Sequence, residues 1–115
     1  MRKDVIYIAG KVSGADLEET KRKFQEAEDW IWEWLTYEKD DTVFFFKIQN
    51  IINPTRLGLT FKDSWLKCMI ICIYNLLKCN AIYMLSDWKD SDGACIEYWI
   101  AKKLGYKIYY QTKQP

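Results

Sequence analysis

Short, mostly apolar runs alternate along the chain with longer segments whose apolar residues recur every three or four positions. Asp4 to Ala9 (DVIYIA) contains Val and Ile and is followed by Gly10 and Gly14, the pattern of a buried strand and then a loop. Asp16 and Glu19 form a capping pair, and behind them Leu17, Phe24, Ala27, Ile31, Trp34 and Leu35 keep one apolar face, which predicts a helix to about Leu35. The polar stretch Thr36 to Thr42 reads as a turn. Val43 to Ile52 (VFFFKIQNII) then reads as a strand or a strand with an irregular lead-in, stopped by Asn53-Pro54, where proline cannot continue a ladder. A loop holding Arg56 and Gly58 leads to Thr60, which caps a second helix through Leu77, with Trp65, Met69, Cys72, Ile73, Leu76 and Leu77 facing inward. Ala81 to Leu85 (AIYML) has no charge, as a central parallel strand requires. The polar loop SDWKDSDG precedes a helix from about Ala94 to Leu104, ended by Gly105, and Tyr106 to Tyr110 (YKIYY) is the last strand.

Strand and helix thus alternate. The expected architecture is a single α/β domain over residues 1–115, doubly wound in the flavodoxin or Rossmann manner, with a parallel sheet of four to five strands flanked by helices. Ligands of such folds sit at the carboxyl ends of the strands, near the switch in strand order. Two loops occupy that position, Gly10 to Gly14 and Ser86 to Gly93.

Composition narrows the chemistry. Of 115 residues, 50% are hydrophobic and 29% charged, with a net charge of +1, so a nucleic-acid polymer is not the expected partner. No apolar run approaches the roughly 18 residues of a membrane span, and the N-terminal apolar stretch is too short for a signal peptide. A cytoplasmic protein without a membrane partner is expected. Histidine is absent, which removes Ser-His and Cys-His nucleophile chemistry and any imidazole zinc site. Cys68, Cys72, Cys79 and Cys95 lack paired C-x-x-C spacing and read as small hydrophobes, so neither a metal nor a cofactor is expected. Six Trp and eight Tyr exceed what so small a core can hide, so some of that surface is expected to meet another subunit or a ligand. Trp30 and Trp34 share a face suited to core or dimer contact, and Trp32 points elsewhere. Phe44-Phe45-Phe46 cannot all face one way on a strand.

Two segments carry candidate chemistry. Gly10-Lys11-Val12-Ser13-Gly14 is either an ordinary β-α turn or a loop whose backbone N–H groups and following helix receive an anion. It matches neither G-x-G-x-x-G nor a Walker loop. Ser91-Asp92-Gly93-Ala94-Cys95-Ile96-Glu97 opens a helix. Glu97 either complements the helix dipole from the first turn or faces the cleft as a nucleophile or base, with Ser91 holding an anionic group.

YIAGKVSG, IINPTRLG, LLKCNAIYMLSDW and SDGACIEYWIAKKLG resemble, in order and spacing, the nucleoside 2-deoxyribosyltransferase-like family of bacteria and phages. Its usual form runs Y-I-A-G-P-I-S-G, I-N-P, L-L-x-C-D-A-I-Y-L-L-P-G-W and S-x-G-A-x-x-E, then A-x-x-L-G. The likeness spans nearly the whole chain and is weakest from Thr36 to Gln49. It implies a small-molecule nucleoside or 5′-monophosphate substrate, Glu97 as the nucleophile at C1′, Tyr7 beside it, and assembly as a homodimer or larger homo-oligomer, with which the aromatic excess is consistent. It also implies a ligand loop over Gly10, Lys11, Ser13 and Gly14, and a 5′-end contact at Ser91 and Gly93. A neutral hydroxyl at Ser91 tolerates a phosphate dianion where a carboxylate would repel it, which favours 5′-monophosphates. The departures are Lys11 for proline, whose ammonium suits a phosphate, Cys72 for the first family Asp, and Asn80 for the second, retaining hydrogen bonding at a ligand position. Two functions follow from the resemblance: cleavage or transfer at an N-glycosidic bond, or a catalytically inactive nucleotide or nucleotide-signal binding protein on the same fold.

Overall fold

The computed structural model describes residues 4–12, 17–34, 37–39, 44–46, 48–58 and 64–111. Four strands, β1 (Asp4–Ala9), β4 (Ile48–Ile52), β5 (Ala81–Met84) and β6 (Lys107–Tyr110), form one parallel sheet in the order β4-β1-β5-β6. A separate antiparallel pair joins β2 (Tyr37–Lys39) to β3 (Phe44–Phe46). Three helices flank the sheet: α1 (Leu17–Trp34), α2 (Trp65–Leu76) and α3 (Asp92–Lys103). This is the expected doubly wound α/β arrangement. No helix among the described residues is long and apolar enough to cross a membrane.

The central pair β1–β5 runs in register from Ile6 opposite Ala81 to Ala9 opposite Met84. Because successive side chains of a strand point to opposite faces, β1 feeds two cores. Ile6 and Ile8 pack with Phe24, Ala27 and Ile31 of α1, while Tyr7 and Ala9 pack with Leu76 at the end of α2 and with Ala94 and Ala101 of α3. Trp30 closes the first core against Tyr83, with ring centroids 5.8 Å apart, and Trp32 is exposed.

Several local expectations change. Tyr37–Lys39 is a strand rather than a turn, and Val43 to Ile52 is not one strand: Phe44–Phe46 pairs with β2, whereas Ile48–Ile52 pairs with β1. The phenylalanine run has the β propensity of a strand whatever its neighbour, so sequence pattern alone could not assign it to a different sheet. Ser64 caps α2, accepting from the Lys67 N–H at 3.1 Å; Thr60 lies outside the described residues. Trp65 and Leu77, expected inside, are exposed because they stand at the two ends of the helix. Helix α3 starts at Asp92, two residues earlier than expected, because Ser91 caps it. That places Glu97 beyond the first turn, where dipole complementation no longer accounts for it.

Asn80 is also reassigned. It precedes β5 and therefore lies at the amino edge of the sheet, opposite the edge where ligands of this fold sit. There its side-chain oxygen accepts from the Val5 N–H at 2.8 Å, its own N–H donates to the Val5 carbonyl at 3.1 Å, and its carbonyl accepts from the Lys107 N–H at 3.3 Å. It ties β1 to β5 and β6 rather than holding a ligand. Asn80→Ala leaves the Val5 N–H without its partner, which costs about 1–3 kcal/mol. Chemical denaturation is expected to read that loss, with catalytic or ligand-binding constants unchanged.

Candidate active site

The strand order reverses at β1: β4 is added on one side and β5 on the other. The switch point therefore lies at the carboxyl ends of β1 and β5. Gly10 leaves β1 there because a side chain is excluded: an added Cβ would come within 2.4 Å of Leu85 Cδ1 and 2.9 Å of Leu85 Cβ. Close packing against Leu85 thus accounts for this glycine without a ligand. The next residue bridges the two loops. The Lys11 N–H donates to Asp87 Oδ1 at 3.1 Å, and Lys23 from α1 donates to the Lys11 carbonyl at 2.8 Å and to Asp87 Oδ2 at 2.5 Å. Lys23 and Asp87 are separated by 64 residues, and no local sequence signal joins them. Ser13 and Gly14 lie outside the described residues.

Beneath this edge three elements bring three titratable groups together. Tyr7 rises from β1, Cys72 comes from α2, and Glu97 comes from α3. The Tyr7 hydroxyl is hydrogen-bonded to both of the others. Its hydrogen bonds favour the ionised form of either partner, as a phenol that donates to a carboxylate or a thiolate does, and with one proton it serves one of them at a time. Tyr7 is 1% exposed and Glu97 6%. Burial pushes the Glu97 carboxyl up to about 7, although the Tyr7 hydrogen bond acts in the opposite direction. Burial likewise pushes the Cys72 thiol up to about 11, so it stays neutral. Burial, then the neighbouring Glu97 charge, raises Tyr7 well above the ordinary tyrosine value. Glu97 Oε2 is buried and has no hydrogen-bond partner among the described residues. A carboxylate that is desolvated, aimed by a phenol and left with one open oxygen is equipped to act as a nucleophile or base.

The remaining expected residues stand at the mouth of α3. The Ser91 hydroxyl accepts from the Ala94 N–H at 3.2 Å and caps the helix, which explains a serine here by itself; its own proton is still available to donate. Gly93 faces Met69 of α2, whose sulfur would stand 2.9 Å from an added Cβ, so it permits α2 and α3 to close together over Tyr7. The preceding loop is braced by Trp88, stacked on Tyr98 of α3 at 4.5 Å between centroids. Asn53, noticed in the sequence as a strand stop and as part of IINPTRLG, is 3% exposed. Its oxygen accepts from the Thr55 N–H and hydroxyl, while its buried Nδ2 has no partner among the described residues. It follows the carboxyl end of β4, beside β1, and offers a donor toward the same edge of the sheet.

An open cleft of about 430 Å³ lies between α1 and the turn Pro54–Arg56, lined by Glu18, Lys21, Arg22, Gln25, Thr55 and Arg56. It is on the α1 side of the sheet, away from Glu97. Two of its cations are already engaged, Arg22 by Glu26 at 2.9 Å and Arg56 by Glu28 at 2.9 Å. The Tyr7–Cys72–Glu97 group, with its converging titratable side chains, is the better candidate for chemistry.

No curated protein and no solved structure matches the chain. One family model does, over residues 4–110, from the first residue of β1 to the last of β6. The chain belongs to the family described as a domain of unknown function, DUF4406.

Proposed function

We propose that the protein cleaves or transfers at the N-glycosidic bond of a nucleoside or, preferentially, its 5′-monophosphate, as a cytoplasmic homo-oligomer of the nucleoside 2-deoxyribosyltransferase-like kind. The observation that carries this reading is Glu97: a buried carboxyl held by Tyr7, with one oxygen lacking a partner. In the proposed reaction that oxygen attacks C1′ and forms a glycosyl ester. The bond to the base breaks, and its electron pair departs with the base. Water or a second base then attacks C1′ and returns the carboxylate. Tyr7 donates to the other oxygen and fixes the direction of attack. Ser91 and the Gly10–Lys11 segment receive the 5′ end, with the Lys11 ammonium and the amino end of α3 favouring a phosphate.

A second reading, a catalytically silent nucleotide-binding protein, is favoured by Cys72. Its neutral thiol stands where the resemblance places an acid, and it contacts Tyr7 directly. Release of free base from ribo- and deoxyribonucleosides and their 5′-monophosphates, followed by chromatography, separates the two. Base release by the wild type and none by Glu97→Gln is the expected result. Retained turnover in that variant would remove Glu97 from the mechanism. Absence of base release by the wild type, even with an acceptor base present, selects the binding reading. Cys72→Asp is expected to raise the rate in the first case and to change nothing in the second.

The raised Glu97 carboxyl adds two pH dependences of opposite direction. Turnover needs the ionised form and is expected to rise with pH through about 7. Stability runs the other way. The folded state holds the proton more tightly than the unfolded chain, so this contribution is complete below the ordinary carboxyl value of 4.5 and is lost as pH rises through about 7. The loss amounts to roughly 3 kcal/mol. Denaturant titrations of the wild type and Glu97→Gln at pH 5 and pH 8 check this, and the glutamine variant is expected to lack this decline.

A further inference from the structure

Among the described residues, eleven large apolar side chains are more than a third exposed, and eight of them belong to α2, α3 and the residues that cap their carboxyl ends. On α2 and its cap, Leu66, Ile70, Tyr74 and Leu77 recur at intervals of four, four and three, one outward stripe with exposures of 64, 61, 60 and 54%. On α3 the stripe is Asp92, Ile96, Trp99 and Lys103, at intervals of four, three and four. Taking about 200 Å² for each large side chain, the six on the two stripes expose on the order of 700 Å². That is more apolar surface than a solitary domain usually leaves in one place, and with the polar residues around it the face approaches the roughly 800 Å² per partner of a stable interface.

We propose that this α2–α3 face binds a second copy of the chain through a two-fold axis that sets each helix pair antiparallel to its mate. The order of residues along α3 selects that occupant. Each helix leads from one parallel strand to another of the same sheet, so α2 and α3 run side by side in one direction. The α3 stripe begins with an exposed acid, continues through Ile96 and Trp99, and ends with an exposed base. Reversed upon itself, it sets Asp92 against the partner's Lys103 and Ile96 against the partner's Trp99, twice per dimer. Lys103 lies 5.5 Å from the Trp99 ring, and Lys78 lies 4.3 Å from the Tyr74 ring, so bases and aromatics share the carboxyl ends of both helices. A sequence complementary to its own reverse is what an isologous interface requires, whereas a membrane or an unrelated protein places no such demand on it. The groove between α2 and α3, with Cys72 and Glu97 beneath it, would then be roofed by the partner. The proposal does not depend on the chemistry at Glu97.

Sedimentation equilibrium of the whole chain at tens of micromolar tests it. The wild type is expected at twice the 13.8 kDa chain mass. Ile70→Glu and Trp99→Glu, both at exposed positions, are expected to give monomers with unchanged far-ultraviolet circular dichroism. Asp92→Lys or Lys103→Asp alone is expected to raise the dimer Kd roughly tenfold or more by opposing like charges, and the two together to restore it. A monomeric wild type overturns the proposal. So does a dimer that survives both glutamate substitutions, or a double charge exchange that associates no better than the single ones.

Discussion

A tyrosine in the middle of a strand covered on both faces carries one polar atom that water cannot reach. Tyr7 is in that position, and its hydroxyl must be satisfied from the helix layer above it. Leaving it unpaired would cost about 1–3 kcal/mol, a sizeable part of the stability of a small domain. The groups that meet it come from two different helices, Cys72 from α2 and Glu97 from α3. The hydroxyl therefore fixes how far each helix slides along β1 and how closely the two approach each other. Gly93 serves the same geometry by admitting Met69 between the helices, and Gly10 serves it on the sheet side by letting Leu85 close over the end of β1.

The same constraint explains why the fold was more legible in the sequence than the site. Short apolar runs and three-four spacing report burial, and burial is what builds the sheet and its two helix layers; Asp4 to Ala9 and Ala81 to Leu85 are readable for that reason. The failures came where local pattern does not determine the partner. Phe44–Phe46 has strand character in any sheet, and only its register with Tyr37–Lys39 shows which one it joins. Asn80 was misplaced although the signal was present: a residue that precedes a parallel strand lies at the amino edge, and ligands of doubly wound sheets bind at the other. The Lys23–Asp87 bridge had no signal, because the two residues are distant in sequence and each is ordinary in its own helix or loop. Glu97, Tyr7 and Cys72 could each be singled out from the sequence, but their shared hydrogen bonds exist only once three elements have packed.

The thiol at Cys72 gives that shared site its electrostatic character. A second carboxylate on Tyr7 would stand beside Glu97 as a like charge and would disfavour its ionisation further, as in paired-carboxylate sites. A thiol pushed up to about 11 carries no charge at neutral pH, so the proton affinity of Glu97 is set mainly by burial and by the opposing Tyr7 hydrogen bond. In the proposed reaction this exchange has two consequences. The ionised nucleophile is easier to form than it would be beside a second acid, and the site no longer holds an ionisable carboxyl there to give a proton to the departing base. The difficulty of the reaction then moves from forming the attacking carboxylate to releasing the base, whose departure depends on its own ability to carry the electron pair or to take a proton from solvent. In the proposed reaction, such a site would discriminate among substrates by the leaving group more than by the sugar.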